Sequence, residues 1–461
     1  MSDISRQRSL GVADMTLFTV SAILILDTVA ASAAIGVASI TWWFILGIFF
    51  LIPYSMINAE MATAYPEQGG IYAWVRDAFG ARWGTRVTWL YWVNVVLWGA
   101  SVYVLFAGVF AQIFLPDLSL TLRLALAIAV NWLVVLVCCA PLRFSKWVPN
   151  LGAALKLITF LALVVAGVVY LAGAEGLAND MSPAAFIPEW GSSMQYLSII
   201  IYCMVGFELV AAASEELKNP TKDMPRAIFW SAGITFSAMV LGTLAVLLAI
   251  PAEDVDLVEG LVDTFRQLFG DSPAGDAAAV MFGIFALVTF ATNVATWMLG
   301  VNRATAESAR DGELPGVLGW ENPNNGAPIG ANLVMGALVT VILLAYGLLA
   351  DTNEDLFWQL LAASIVLFLL PYAGLVAAFY RARIMDAARP RPYRVPGGMA
   401  IAGCFTLLCI GAIAICLGFL MYVPDAGPDW SVIGGTVAAI VLGEFAIAWS
   451  EWRKGNNRAD G

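Results

Sequence analysis

Runs of eighteen or more mainly apolar residues recur along the whole chain, and no other feature limits its fold so severely. Wound as a helix, each run can cross the roughly 30 Å hydrocarbon core of a bilayer. The mean hydropathy of +0.82 and the 12% share of charged residues fit such a chain and no ordinary soluble one. The sequence therefore predicts an all-α, multi-pass membrane protein with twelve transmembrane helices. The spans are placed at 15–40, 42–64, 86–115, 122–141, 149–172, 193–214, 226–250, 277–302, 329–350, 356–380, 399–422 and 431–452. The N-terminal stretch MSDISRQRSLGVAD lacks the short apolar core and cleavage site of a secretory signal, so the first span is expected to be retained.

Orientation follows from the cations. With the N-terminus in the cytoplasm, all of the 23 Lys and Arg residues except Arg123 and Arg266 fall on the inner side or at inner helix ends. The positive-inside rule then sets both termini in the cytoplasm, in an inner (cytoplasmic) cell membrane. Arg381, Arg383, Arg389, Arg391 and Arg394 read as topology anchors facing anionic lipid. One outer loop is acidic, with Glu253, Asp254, Asp256, Glu259, Asp263, Asp271 and Asp276. It reads as a solvated surface, or as a weak attractor of cationic solutes that salt would screen.

What is missing narrows the chemistry. The chain contains no histidine, the commonest proton shuttle and metal ligand, which argues against most membrane-embedded hydrolases and metalloproteases. The cysteines Cys138, Cys139, Cys203, Cys404, Cys409 and Cys416 all lie in apolar segments, where packing is a better account than disulfides or zinc. No cofactor or metal is expected, no nucleic acid, and no enzymatic activity.

Two spans carry an acid at bilayer depth. Asp27 is followed by Thr28-Val29-Ala30-Ala31-Ser32-Ala33-Ala34, and Glu208 by Leu209-Val210-Ala211-Ala212-Ala213-Ser214. A carboxylate there costs about 2.5–3.5 kcal/mol on insertion scales, so it should face a cavity or a partner. The small neighbours permit close helix approach or local unwinding. Interruptions at matching positions of two halves point to a midplane binding site in a secondary transporter.

Four stretches then resemble a known group. They are AEMATAYPEQGGIYAWVRDAFG (59–80), GFE (206–208) running on to EELKNPTKDMPRA (215–227), RATAESARDGELP (303–315) and RPYRVPGG (391–398). In this order, with spans between them, they are similar to the amino acid–polyamine–organocation transporter superfamily, near its bacterial amino acid/amine exchangers. The resemblance covers nearly the whole chain. It implies a LeuT-like five-plus-five inverted repeat with helices 1 and 6 interrupted. The implied divisions are residues 1–172 for the tail and first repeat, 173–380 for the second repeat, and 381–461 for two peripheral helices and the C-terminal tail. In that family the amides of a glycine-rich break in helix 1 usually hold the substrate carboxylate. Here those glycines are absent and Asp27-Thr28-Val29 falls near their place. The spacing to Ala59-Glu60-Met61 resembles most the glutamate–aminobutyrate antiporter branch.

Asp27 would attract an ammonium group, or titrate with transport; the alternative is a structural hydrogen bond to Thr28 or a backbone amide. Glu208 reads as a proton carrier that responds to substrate, or as a fixed contact between gate helices. Lys156 either snorkels to the cytoplasm or, as the resemblance implies, puts its ammonium where related carriers bind sodium, which argues against sodium coupling. Trp297 sits where the resemblance places a substrate-packing aromatic, with Asn293 one turn earlier on the same face. Trp98, Ser101 and Ser364 are similarly placed. Thr28, Ala31, Ser32, Cys203, Met204, Gly206 and Phe207 complete the candidate substrate site around the two breaks. Glu60, Arg76, Asp77, Glu215, Arg310 and Asp311 read as an inner network that opens with the carrier, or as solvated charge.

The function these features imply is alternating-access transport of an amine-bearing solute, an amino acid or its decarboxylated amine, by exchange. Proton-coupled symport is the second mechanism, with Glu208 and Lys156 carrying the coupling. A non-transporting membrane sensor or a channel is the alternative of another class. The carrier is expected to work as a monomer or homodimer.

Overall fold

In the computed structural model, residues 11–66, 70–140, 147–173, 176–212, 217–270, 272–348, 350 and 352–459 are described. Ten helices among them are long and apolar enough to cross a membrane, and eleven if one bent pair counts as a span. The bent pair is span 1, in which Val12–Ile23 and Leu26–Ala33 meet at 43°. The other long helices are span 2 (Ala38–Ala64), span 3 (Ala81–Phe114), span 4 (Leu120–Cys139), span 5 (Trp147–Gly173), span 7 (Pro220–Ala249), span 8 (Pro273–Arg310), span 9 (Ile329–Gly347), span 10 (Asn353–Met385), span 11 (Gly398–Met421) and span 12 (Trp430–Ala459). Span 6 is split into Leu197–Tyr202 and Leu209–Ala212, pieces too short to qualify alone.

Several boundaries differ from the sequence reading. The first span ends at Ala33 and not near residue 40, because the chain turns at Gly36, whose φ of +90° suits glycine. Two further helices lie between spans, Gly70–Phe79 before span 3 and Gly260–Phe269 before span 8. The second of these reshapes the acidic loop between spans 7 and 8. Its residues Leu261, Val262 and Phe265 are buried, Arg123 pairs with Glu259 at 3.1 Å, and Gln112 donates to Asp263 at 2.7 Å. Burial, ahead of the opposing pull of Arg266, holds the Asp263 carboxyl above its ordinary value. The loop is thus partly docked on the bundle; Asp271 lies outside the described residues.

Spans 3 and 10 are the most enclosed, while spans 4, 5, 11 and 12 leave most of their surface to lipid.

The end of the bundle where spans 2 and 10 finish is fastened by an ion cluster. Glu60 near the end of span 2 is fully buried and accepts from Arg383 Nε at 2.8 Å and Nη2 at 2.5 Å, and from Arg391 Nη1 at 3.2 Å. Val395 N donates to the same carboxylate at 2.7 Å, and Arg383 also donates to the carbonyls of Val395 and Gly398 at 3.0 Å each. The RPYRVPGG segment is therefore folded back onto span 2, so two of the four diagnostic stretches meet here. This corrects the reading of Arg383 and Arg391 as lipid-facing anchors: a guanidinium fork satisfied by a carboxylate and carbonyls is stable inside the protein. It also shows that Glu60 is paired inside the protein and is not solvated charge. Of the network read from the sequence, Arg76 bonds its neighbour Asp77 at 2.9 Å and Arg310 pairs with Glu321 at 2.8 Å, while Glu215 lies outside the described residues. Tyr72 donates to Glu313 at 3.2 Å, joining the helix before span 3 to the loop after span 8.

Removing one partner of a buried ion pair strands the other charge. Arg383→Ala should cost about 3–5 kcal/mol. The check is the fraction of detergent-solubilised protein that stays monodisperse after graded heating, and an unchanged midpoint would contradict a structural role for the cluster.

Candidate functional site

Opening span 1 leaves Leu24 and Ile25 in extended conformation, with ψ of 109° and 103°. The last carbonyls of Val12–Ile23 then lose their intrahelical donors. One is refilled by a side chain: Lys156 Nζ donates to Ser21 O at 2.8 Å and to Asn293 Oδ1 at 3.2 Å. Lys156 is 2% exposed, so it does not snorkel; its ammonium ties spans 1, 5 and 8 together. Span 5 can come this close because Gly152, one turn earlier, has no side chain. A Cβ there would lie 2.1 Å from Thr292 Oγ1 on span 8.

Span 6 opens at the same depth. Residues 203–208 leave the helix, and Gly206 adopts a φ of +109°. A Cβ on Gly206 would meet Ile23 Cγ2 at 2.5 Å, so the two breaks touch through this glycine. Thr28 Oγ1 and Cys203 Sγ, 3.2 Å apart, form a second contact between them.

The two breaks border a small cavity with Ile23, Ile25, Asn94, Trp98, Tyr202 and Gly206 among its walls. Trp98 and Trp297 stand edge to face at 6.2 Å, and Trp297 and Phe368 at 6.1 Å, so the remaining wall is aromatic. The enclosed volume is about 10 Å³, room for about one water and for no amine cargo. Admitting a solute therefore requires the walls to part.

Asp27 stands one side chain behind this hollow, and Glu208 stands two behind it, past the tyrosines that pack on Phe368. Asp27 is buried in the single turn Leu26–Thr28, and Trp98 Nε1 donates to its Oδ2 at 3.2 Å. Glu208 is held by three hydroxyls, Tyr91 at 2.5 Å, Tyr372 at 2.7 Å and Tyr54 at 3.4 Å. Tyr91 and Tyr372 touch each other at 2.5 Å, and both rings pack on Phe368.

Of the residues singled out in the sequence, Trp98, Gly206 and Trp297 border the cavity; Asp27 reaches it through Trp98 and Glu208 through the tyrosines on Phe368, while Thr28 and Cys203 join the two breaks beside it. Ala31, Met204 and Phe207 are packed in the core, Phe207 against Tyr54. The remaining polar candidates are engaged elsewhere. Ser32 Oγ accepts from Trp43 Nε1 at 2.9 Å and bonds Thr243 at 3.1 Å, while Ser101 and Ser364 donate to carbonyls of their own helices, Trp98 O and Leu361 O. Asn293 serves Lys156. The sequence reading missed the tyrosine cage and the wall residues Asn94, Tyr202 and Phe368. The helical spacing of Tyr91, Asn94 and Trp98 would have shown that they share a face of span 3.

A sequence model of the amino acid permease family matches residues 10–443. A probable agmatine/putrescine antiporter of Lactococcus lactis is 33% identical over 94% of this chain and 93% of its own. An uncharacterized transporter of Legionella pneumophila is 29% identical over 90% of each chain. A glutamate/gamma-aminobutyrate antiporter of Lactococcus lactis is 24% identical over 82% of this chain and 77% of its own, less than the agmatine/putrescine relative despite the similar spacing around span 1. With its broken first span, its split sixth and a match over nearly its full length, the chain belongs to the amino acid permease family and is a multi-pass membrane transporter, not an enzyme.

Proposed function

We propose that this secondary transporter is an antiporter exchanging small organic cations, with diamines and guanidino-amines as its cargo. The observation that carries the reading is Asp27, a buried carboxylate in the break of span 1, bonded to a tryptophan of the cavity wall. The resemblance puts glycine amides near this place, donors suited to a substrate carboxylate. A carboxylate there repels that group and attracts an ammonium. Aromatic walls suit the rest of such a cargo, since indole and phenyl faces stabilise cations and pack on methylenes. Agmatine and putrescine, named for the 33% identical relative, are amines of this kind and carry no carboxylate.

Exchange is the natural mode for this architecture. Lys156 occupies the junction of spans 1, 5 and 8 with a protein-borne ammonium, so no sodium ion is needed to close it. Cargo on either side then supplies the charge that lets the breaks re-form around it, and alternating access proceeds by parting spans 1 and 6 from the aromatic wall of spans 3, 8 and 10.

In reconstituted vesicles, uptake of labelled agmatine or putrescine should depend on unlabelled amine inside. Asp27→Asn should raise the apparent KM for these amines at least about tenfold, the scale of losing a charge-assisted hydrogen bond. Uptake by the variant at the wild-type KM would remove the carboxylate from recognition. Replacing external and internal sodium by potassium should leave the exchange rate unchanged, and a rate that rises with sodium would contradict the role given to Lys156.

A further inference from the structure

Span 3 carries a polar group that neither acid accounts for. Asn94 is 2% exposed and borders the central cavity, yet its Oδ1 is enclosed without a hydrogen-bond partner. Among the described residues it is the one such side-chain atom on a residue lining that cavity. A buried acceptor left unpaired carries its full desolvation cost, so the position makes physical sense when a donor arrives there. Its placement says which donor. Tyr91, Asn94 and Trp98 fall at i, i+3 and i+7 on one face of the helix. Tyr91 holds Glu208 and Trp98 holds Asp27, so Asn94 lies between the two carboxylates. The stretch from Tyr91 to Trp98 rises about 10 Å. Extended along it, a cargo with one ammonium at the Asp27 end presents its second nitrogen further along the stripe, toward Asn94.

We propose that Asn94 is a specificity-determining residue that accepts a hydrogen bond from the second cationic nitrogen of the cargo, an ammonium or a guanidinium, and so selects dications over monoamines. The inference rests on the cation-exchange reading given above and deepens it. Asn94 works as a neutral acceptor: it reads a donor without adding a third negative charge to the membrane interior, where another carboxylate would cost further insertion energy.

The test compares putrescine with butylamine, which has the same four-carbon chain but one nitrogen, in vesicles containing wild type, Asn94→Leu or Asn94→Ser. Leucine keeps the approximate volume and removes the acceptor; serine restores an oxygen on a shorter stem. Asn94→Leu should raise the KM for putrescine about ten- to hundredfold and move that for butylamine less than about threefold. Asn94→Ser should recover part of the putrescine loss. The melting temperature of Asn94→Leu should equal or exceed that of wild type, because no existing hydrogen bond is lost. An equal change for both amines, an unchanged putrescine KM, or a fall in melting temperature that serine rescues would each overturn the proposal and make Asn94 a packing residue. Wild-type protein that exchanges no amine would instead overturn the transport reading itself, so the two failures are separable.

Discussion

The opening of span 1 between Ile23 and Leu26 is the constraint on which the rest of the structure depends. It forfeits helical hydrogen bonds at a depth where water cannot replace them, so the protein must supply substitutes. Lys156 supplies one by donating to Ser21 O, and in doing so it fixes span 5 against spans 1 and 8. That fixation needs the bare backbone of Gly152 beside Thr292. The buried ammonium in turn is satisfied by a carbonyl and a carboxamide oxygen. Break, lysine and glycine thus form one interdependent unit.

The molecule divides its polar chemistry by purpose. Where spans 2 and 10 finish, Glu60 with Arg383, Arg391 and the 391–398 segment is dense, paired and buried, which suits a fixed fastening between span 2 and spans 10 and 11. Between the two breaks, apart from the tyrosine cage of Glu208 and the bonds of Lys156, the bonding is sparser. Thr28 and Cys203 share one contact, Asp27 has one side-chain donor, and Asn94 Oδ1 has none. A carrier must hold its frame while letting its site rearrange, and sparse central bonding lowers the cost of that rearrangement. The cavity of about 10 Å³ fits this view: the site is collapsed, and cargo competes with the contacts that close it.

Much of this was legible in the sequence, and the reasons are physical. The spans were visible because lipid imposes long apolar runs, and the two breaks because an acid beside small residues is costly in such a run unless the helix opens. Lys156 was found by resemblance, but its partner Ser21 was not, since a backbone carbonyl leaves no mark in a residue code. The end of span 1 was misplaced because Gly36 sits in an unbroken apolar stretch and only its φ reveals the turn. Arg383 and Arg391 read as lipid anchors because basic residues at a helix end usually are; their pairing with Glu60 joins residues more than three hundred positions apart. The tyrosines around Glu208 come from spans 2, 3 and 10, and no local pattern announces that they converge.

The central claim is that a carboxylate in the break of span 1 selects cargo by positive charge and against a substrate carboxylate. Calorimetric titration of the purified protein tests it most directly, comparing agmatine with arginine and putrescine with ornithine under one set of salt conditions. The account predicts that each amine binds more tightly than the amino acid carrying the extra carboxylate. Tighter binding of arginine and ornithine than of their decarboxylated counterparts would contradict it.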